Sequence, residues 1–177
     1  HPAHESEALF ASGTCYVRLG DTDQAIGAMR AVAAGDPQRP VTVNGSLALA
    51  DLYRRQHRSD EAAALLSDLI GRVPRDRRPQ LCLRLGAVQL DQGNATHAIE
   101  SFTCALQAPE ADAQAAALAG LGDVQMFLGR YDQAEILYQD VAERTDQKTM
   151  SAYATYQLGR IQLAVGRVDD AIDTFGP

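Results

Sequence analysis

The sequence predicts an all-α fold, a solenoid of about five tandem antiparallel helix pairs, and three observations predict it. Composition leans to helix formers, with Ala, Leu and Gln abundant and no Trp. Ala25, Ala62, Ala98, Ala134 and Ala171 recur at spacings of 37, 36, 36 and 37 residues, a period typical of stacked repeats. Two further columns keep the same register. A small residue stands twelve positions before each alanine (Gly13, Ala50, Gly86, Gly122, Gly159), and a turn residue five before it (Gly20, His57, Gly93, Gly129, Gly166).

Each unit reads as an apolar helix A, a short turn and a helix B. In the fourth, Ala115 to Leu128 carries the first helical pattern, Gly129-Arg130 the turn, and Tyr131 to Ala142 the second. A glycine at the turn suits a left-handed C-cap, which costs a residue with a Cβ roughly 1 kcal/mol. Asp21 and Asn94, just after the turn glycine, suit the start of helix B. The small residue of helix A and the alanine of helix B let the two helices approach closely. Met29, Leu66, Phe102, Tyr138 and Phe175 each follow the helix-B alanine by four residues, on the same helical face. Pro37 and Pro74 end helix B in two repeats, and Pro109 stands near the end of a third. One pair cannot bury its apolar face alone, but a stack of five builds a continuous core.

These columns resemble the tetratricopeptide repeat family: small residue, turn glycine, alanine, bulky residue, proline. Gly13–Tyr16–Gly20–Ala25–Pro37 and Leu121–Gly122–Gly129–Tyr131–Ala134–Tyr138 carry the likeness, which covers about residues 6–175. It implies a right-handed superhelix. Residues 1–5 are expected as a tail and 6–177 as one array, with repeats at about 6–42, 43–78, 79–114, 115–151 and a truncated 152–177. Some columns depart from the family pattern. The links between repeats are longer, His57 replaces a turn glycine, and Tyr16 and Tyr53 give way to Gln89, Gln125 and Gln162. That glutamine column reads as bridging neighbouring helices or facing water at the core edge, ahead of a strip bonding a ligand backbone. The last helix B is about half length with no polar cap after it, which reads as a piece of a longer array or an end that packs on another surface. The missing initiator Met fits a removed leader or upstream domain.

The resemblance also implies where a ligand sits, because helix A lines the concave face in this family. The candidates are Phe10, Thr14, Val17 and Arg18 in repeat one, and Asn44, Leu47, Asp51, Arg54 and Arg55 in repeat two. Repeat three offers Leu83, Ala87, Leu90 and Asp91, and repeat four Ala119, Asp123, Met126 and Phe127. Repeat five offers Tyr153, Tyr156, Arg160 and Leu163. This mixed surface suits an extended or helical segment with apolar anchors, and acidic groups near Arg54 and Arg55. Chaperone-binding members clamp a terminal carboxylate with Lys and Asn. Phe10, Thr14, Ala48, Gln80 and Arg84 stand at those positions, and only Arg84 resembles the clamp, so a chaperone tail is not expected.

Charge and composition narrow the class further. The chain is 46% hydrophobic and 22% charged, as folded proteins are. No run approaches the roughly 18 apolar residues of a membrane span. A net charge of −7 argues against nucleic acid as the main partner. Residues 51–84 hold eight arginines against five acids, a net +3, whereas residues 85–177 hold five basic and thirteen acidic residues, a net −8. Lys148 is the only lysine among sixteen basic residues, a bias that fits a GC-rich, bacterial genome. Cys15, Cys82 and Cys104 show no metal-ligand spacing and read as small buried thiols, although Cys82 and Cys104 fall in the two helices of one repeat.

No nucleophile elbow, phosphate loop or zinc-binding HExxH is present. His1 and His4 fall in the tail and offer at most weak metal chelation, His57 is in a turn, and His97 lies early in a helix B. Neither cofactor nor metal is expected. The reading is a non-catalytic scaffold that binds a protein or peptide, without nucleic acid or direct membrane insertion. Two alternatives stand beside it: a self-association module giving a dimer or filament, and a regulatory or targeting region of a longer enzyme. A cytoplasmic and a periplasmic location fit equally.

Overall fold

The computed structural model describes the backbone of residues 2–176 and the side chains of residues 4–176. Helices α1 (Pro2–Leu19) and α2 (Thr22–Ala33) form the first pair, and α3 (Pro40–Arg55) and α4 (Ser59–Arg72) the second. A short 3-10 turn, Arg75–Arg77, leads into α5 (Arg78–Asp91) and α6 (Ala95–Ala105). Then come α7 (Ala111–Phe127) with α8 (Tyr131–Arg144), and α9 (Lys148–Ala164) with α10 (Val168–Phe175). Consecutive helices pack on one another, and each helix A also touches the helix A of the next repeat. The odd-numbered helices therefore line one face of an all-α superhelix.

The turn between helices A and B is the same in all five repeats. Gly20, Gly93, Gly129 and Gly166 have φ between 70° and 81°, and His57, at φ 58°, takes the same left-handed conformation. The amide just past the turn reaches back five residues into helix A. Asp21 bonds Tyr16, Arg58 bonds Tyr53, Asn94 bonds Gln89, Arg130 bonds Gln125 and Arg167 bonds Gln162, at 2.7–3.0 Å. This closes the carbonyls that a helix end leaves open. The Tyr/Gln column is thus also a capping column, through backbone atoms that any residue can supply. Asp21 caps α2 as expected, accepting from the Gln24 amide at 3.2 Å, whereas Asn94 occupies the N-cap of α6 without a side-chain bond.

The alanine column is the tightest part of the core. Ala25, Ala62, Ala98 and Ala134 are fully buried, and Ala171 is 1% exposed. Across from it, the helix-A glycines accommodate the bulky helix-B residues. A Cβ at Gly86 would stand 2.8 Å from the Phe102 ring, and one at Gly122 2.8 Å from the Tyr138 ring. Met29, Leu66, Phe102 and Tyr138 are at most 2% exposed, but Phe175 in the last pair is 46% exposed.

Three expectations are corrected here. Helix α1 begins at Pro2, so residues 2–5, expected as a tail, are helical, with Glu5 in the first turn where the helix dipole favours an acid. Cys82 and Cys104 are a disulfide and not reduced thiols: their Cα atoms lie 5.9 Å apart, and the bond staples α5 to α6. Cys15 is exposed, because its place on α1 faces away from the packed side. His1, with its expected weak chelation, and Pro177 lie outside the described residues. Among the described residues no helix is long and apolar enough to cross a membrane.

Candidate functional site

Helix-A residues of repeats three, four and five converge on a cleft of about 340 Å³. Leu83 and Ala87 come from α5, Ala116, Ala119, Gly120 and Asp123 from α7, and Thr149, Met150 and Tyr153 from α9. Phe102 of α6 forms the floor. It reaches there because Gly86 and Gly120 leave room on both sides of its ring; a Cβ at Gly120 would overlap it outright. Apolar surface dominates this cleft, and Arg84, Asp123, Thr149 and the Tyr153 hydroxyl supply its polar groups.

Asp123 organises the junction of repeats four and five. Its Oδ1 accepts from Tyr138 Oη at 2.6 Å, Tyr153 Oη at 2.5 Å and Gln157 Nε2 at 3.1 Å. Gln157 Nε2 also donates to Tyr153 Oη at 2.8 Å. Arg160 donates to Gln157 Oε1 at 2.8 Å and stacks over the Tyr156 ring. The Tyr138 phenol is pushed well above its ordinary range by burial first and then by the Asp123 charge. Burial and the hydrogen bond to Asp123 push the Tyr153 phenol up as well. Both therefore remain proton donors to the carboxylate.

The junction of repeats two and three is polar and open. A cleft of about 580 Å³ is lined by Asp51, Arg54, Arg55, His57, Ser59, Arg84 and Asp91. Arg54 pairs with Asp91 at 2.6 Å and Arg84 with Asp51 at 3.9 Å. Arg55 is exposed and forms no ion pair with the described residues.

The remaining candidates scatter. Phe10 is half-buried against the core of repeats one to three, and Thr14 Oγ1 donates to its carbonyl at 2.9 Å. Val17, Arg18 and Asn44 are exposed. Leu47 is corrected: at 7% exposure it belongs to the core, because its side of α3 faces the helices packed on it. Ala119 is also buried and meets the cleft only as wall. Leu90 packs beside Ala98 and Phe102, and Met126 beside the core of repeats four and five. Phe127 is exposed and its ring lies near the Gly93 turn, at the edge of the array. Tyr156 lines a separate groove with Phe175, on the far side of α9, and Leu163 is exposed.

Sequence reasoning missed Met150, Thr149, Phe102, Gly120 and Ala116 as cleft residues, and Gln157 and the Tyr138 hydroxyl as polar partners. One signal was available. A buried tyrosine must place its hydroxyl, and Asp123 directly follows the glycine that faces Tyr138. The glutamine column behaves unevenly: Gln89 bridges α5 and α6 by accepting from Ser101 Oγ at 2.6 Å. Gln125 Oε1 and Gln162 Oε1 are buried without a protein donor. Leu137 stands where Ser101 stands in repeat three, and cannot donate.

The tetratricopeptide repeat family matches residues 47–113, 83–149 and 120–175, and a second form of that repeat matches residues 7–38. The chain belongs to the tetratricopeptide repeat family, whose arrays serve in general as protein–protein interaction scaffolds. Among solved structures it resembles the nearly identical repeats of a kinesin light chain from Podosopora anserina, with TM-score 0.77 and 17% identity over 99% of this chain and 93% of that one. It also resembles MamA, at TM-score 0.70 and 23% identity over 92% of this chain and 90% of that one. A repeat protein from Parabacteroides merdae gives TM-score 0.71 and 18% identity over 97% of this chain and 64% of that one. No curated protein matches the sequence.

Proposed function

We propose that the chain recruits a partner protein by holding an extended or helical segment of it on the concave helix-A face, with repeats three to five as the anchor. The observation that carries this reading is the cleft walled by three successive helices A, mainly apolar and set with a few polar groups. Apolar anchors flanked by oriented polar groups are how grooves combine affinity with register. Neighbouring Arg84 and Arg55 offer hydrogen-bond donors to the segment where it leaves the cleft. The net −8 of residues 85–177 favours a protein over a nucleic acid. Ala87→Arg tests the reading, because it fills the cleft with a long side chain from a half-buried wall position at the margin of the Ala98–Phe102–Val124 cluster. An affinity capture with the parent chain and with this variant is expected to retain a partner on the parent only, with equal thermal melting of the two baits. Equal retention by both would remove the cleft from the account.

A second reading, self-association through the last helix pair, is favoured by one observation. Phe175, Ile172 and Val168 are 46%, 61% and 53% exposed on α10, an apolar patch of the kind that marks contact surfaces. Sedimentation over a concentration series decides it: a concentration-independent monomer excludes self-association.

A further inference from the structure

Asp123 carries a charge that its own surroundings leave unbalanced. Its Oδ1 is satisfied by three neutral donors, while Oδ2 accepts no hydrogen bond and meets no cation among the described residues. Arg84, which lines the cleft, and Arg160, which bonds Gln157, are both engaged elsewhere. Arg84 is turned toward Asp51, and Arg160 is held by Gln157 and the Tyr156 ring. The two tyrosines donate hydrogen bonds but are neutral, so they bring no counter-charge. Asp123 is half-buried, and its Oδ2 is open to take a charged donor. The carboxylate lines an apolar cleft, at the hydroxyl end of Tyr153, whose ring lines the same cleft and is 37% exposed. An aromatic face attracts a cation in addition to the carboxylate.

Resting on the proposed concave-face binding, we infer that the cleft reads a basic-apolar element of the partner. An apolar side chain enters between Leu83, Phe102 and Met150, and an adjacent lysine or arginine bonds Asp123 Oδ2 beside Tyr153. Arg84 also lines the cleft and pairs with Asp51 at 3.9 Å, so it attracts an acidic group less than Asp123 attracts a basic one. The site is therefore of opposite sign to one that clamps a carboxylate.

The test selects a phage-displayed library of random dodecapeptides against the whole chain, in parallel with Asp123→Asn and Ala87→Arg. Asparagine keeps an acceptor for the tyrosines and removes the charge, and thermal melting checks that each variant folds. The parent is expected to enrich peptides with Lys or Arg beside a large apolar residue. Asp123→Asn is expected to lose the basic preference, keep the apolar one, and bind the parent's peptides roughly ten- to hundredfold more weakly. Peptides lost on Ala87→Arg that show no basic preference, or that bind Asp123→Asn equally, would overturn this inference and leave the cleft as a binding site. Enrichment of no peptide by the folded parent would overturn both.

Discussion

Between repeats two and three the open helix-A face carries ion pairs, Arg54 to Asp91 and Arg84 to Asp51, beside an exposed Arg55, whereas repeats four and five are joined by neutral donors of α9 that meet on one carboxylate. In the first junction every pair is more than a third exposed, so water screens it. In the second, Tyr138 is fully buried and Gln157 is 5% exposed, so the hydrogen bonds are partly shielded and the negative charge persists. A partner gains more at the second junction. Charges already paired and screened by water give up part of their own pairing to a ligand, while a charge held in place by neutral groups offers a prepared counter-charge.

Repeat three lies between these junctions, and its staple is expected to give the largest effect. The Cys82–Cys104 bond closes a loop across a separation of 22 residues, and its removal is expected to cost about 3 kcal/mol. Thermal melting with and without a thiol reductant checks this; an unchanged midpoint would show that the staple adds nothing to helix packing. Such a bond persists in oxidising compartments and not in a reducing cytosol.

Tyr138→Phe breaks the second junction at its centre. It keeps the ring in the core and removes one bond to a carboxylate, an expected loss of about 1.5–3 kcal/mol in urea unfolding. Arg54→Gln breaks the first junction and is expected to cost at most about 1 kcal/mol, less at high salt. Equal losses at the two sites would contradict the contrast drawn between them.

Alkaline pH sharpens the same contrast. Tyr138 and Tyr153 have folded-state pKa values raised above the unfolded phenol value of about 10. Their contribution to stability is therefore complete below that pH and falls as pH rises beyond it, because only the unfolded chain releases these protons. Phenolate absorbance of the parent, read against Tyr138→Phe and Tyr153→Phe, is expected to show these two phenols ionising together with loss of helix. Their ionisation with the helices intact would place both phenols in water.

The fold was legible because its constraints are local and repeat. Ala134 and Gly122 recur at one period since every repeat needs the same close approach, and even His57 follows the turn geometry that its column demands. The cleft was only partly legible. Leu83, Ala87, Asp123 and Tyr153 follow from their places on helix A, but Phe102 lies under the cleft only because Gly120, one repeat on, leaves space for its ring. That depends on how neighbouring repeats are staggered, which a single register does not encode. Leu47 was misplaced for the same reason: its face of α3 is covered by helices from other pairs. The disulfide was hidden because Cys82 and Cys104 lack any sequence motif and meet through helix pairing alone.

Hydrogen–deuterium exchange of the chain with and without a captured partner tests the central claim most directly. The account predicts slower exchange in α7 and α9 around Asp123 and Met150, with α10 unchanged. Protection confined to α10 would contradict it and make the last helix pair the contact surface.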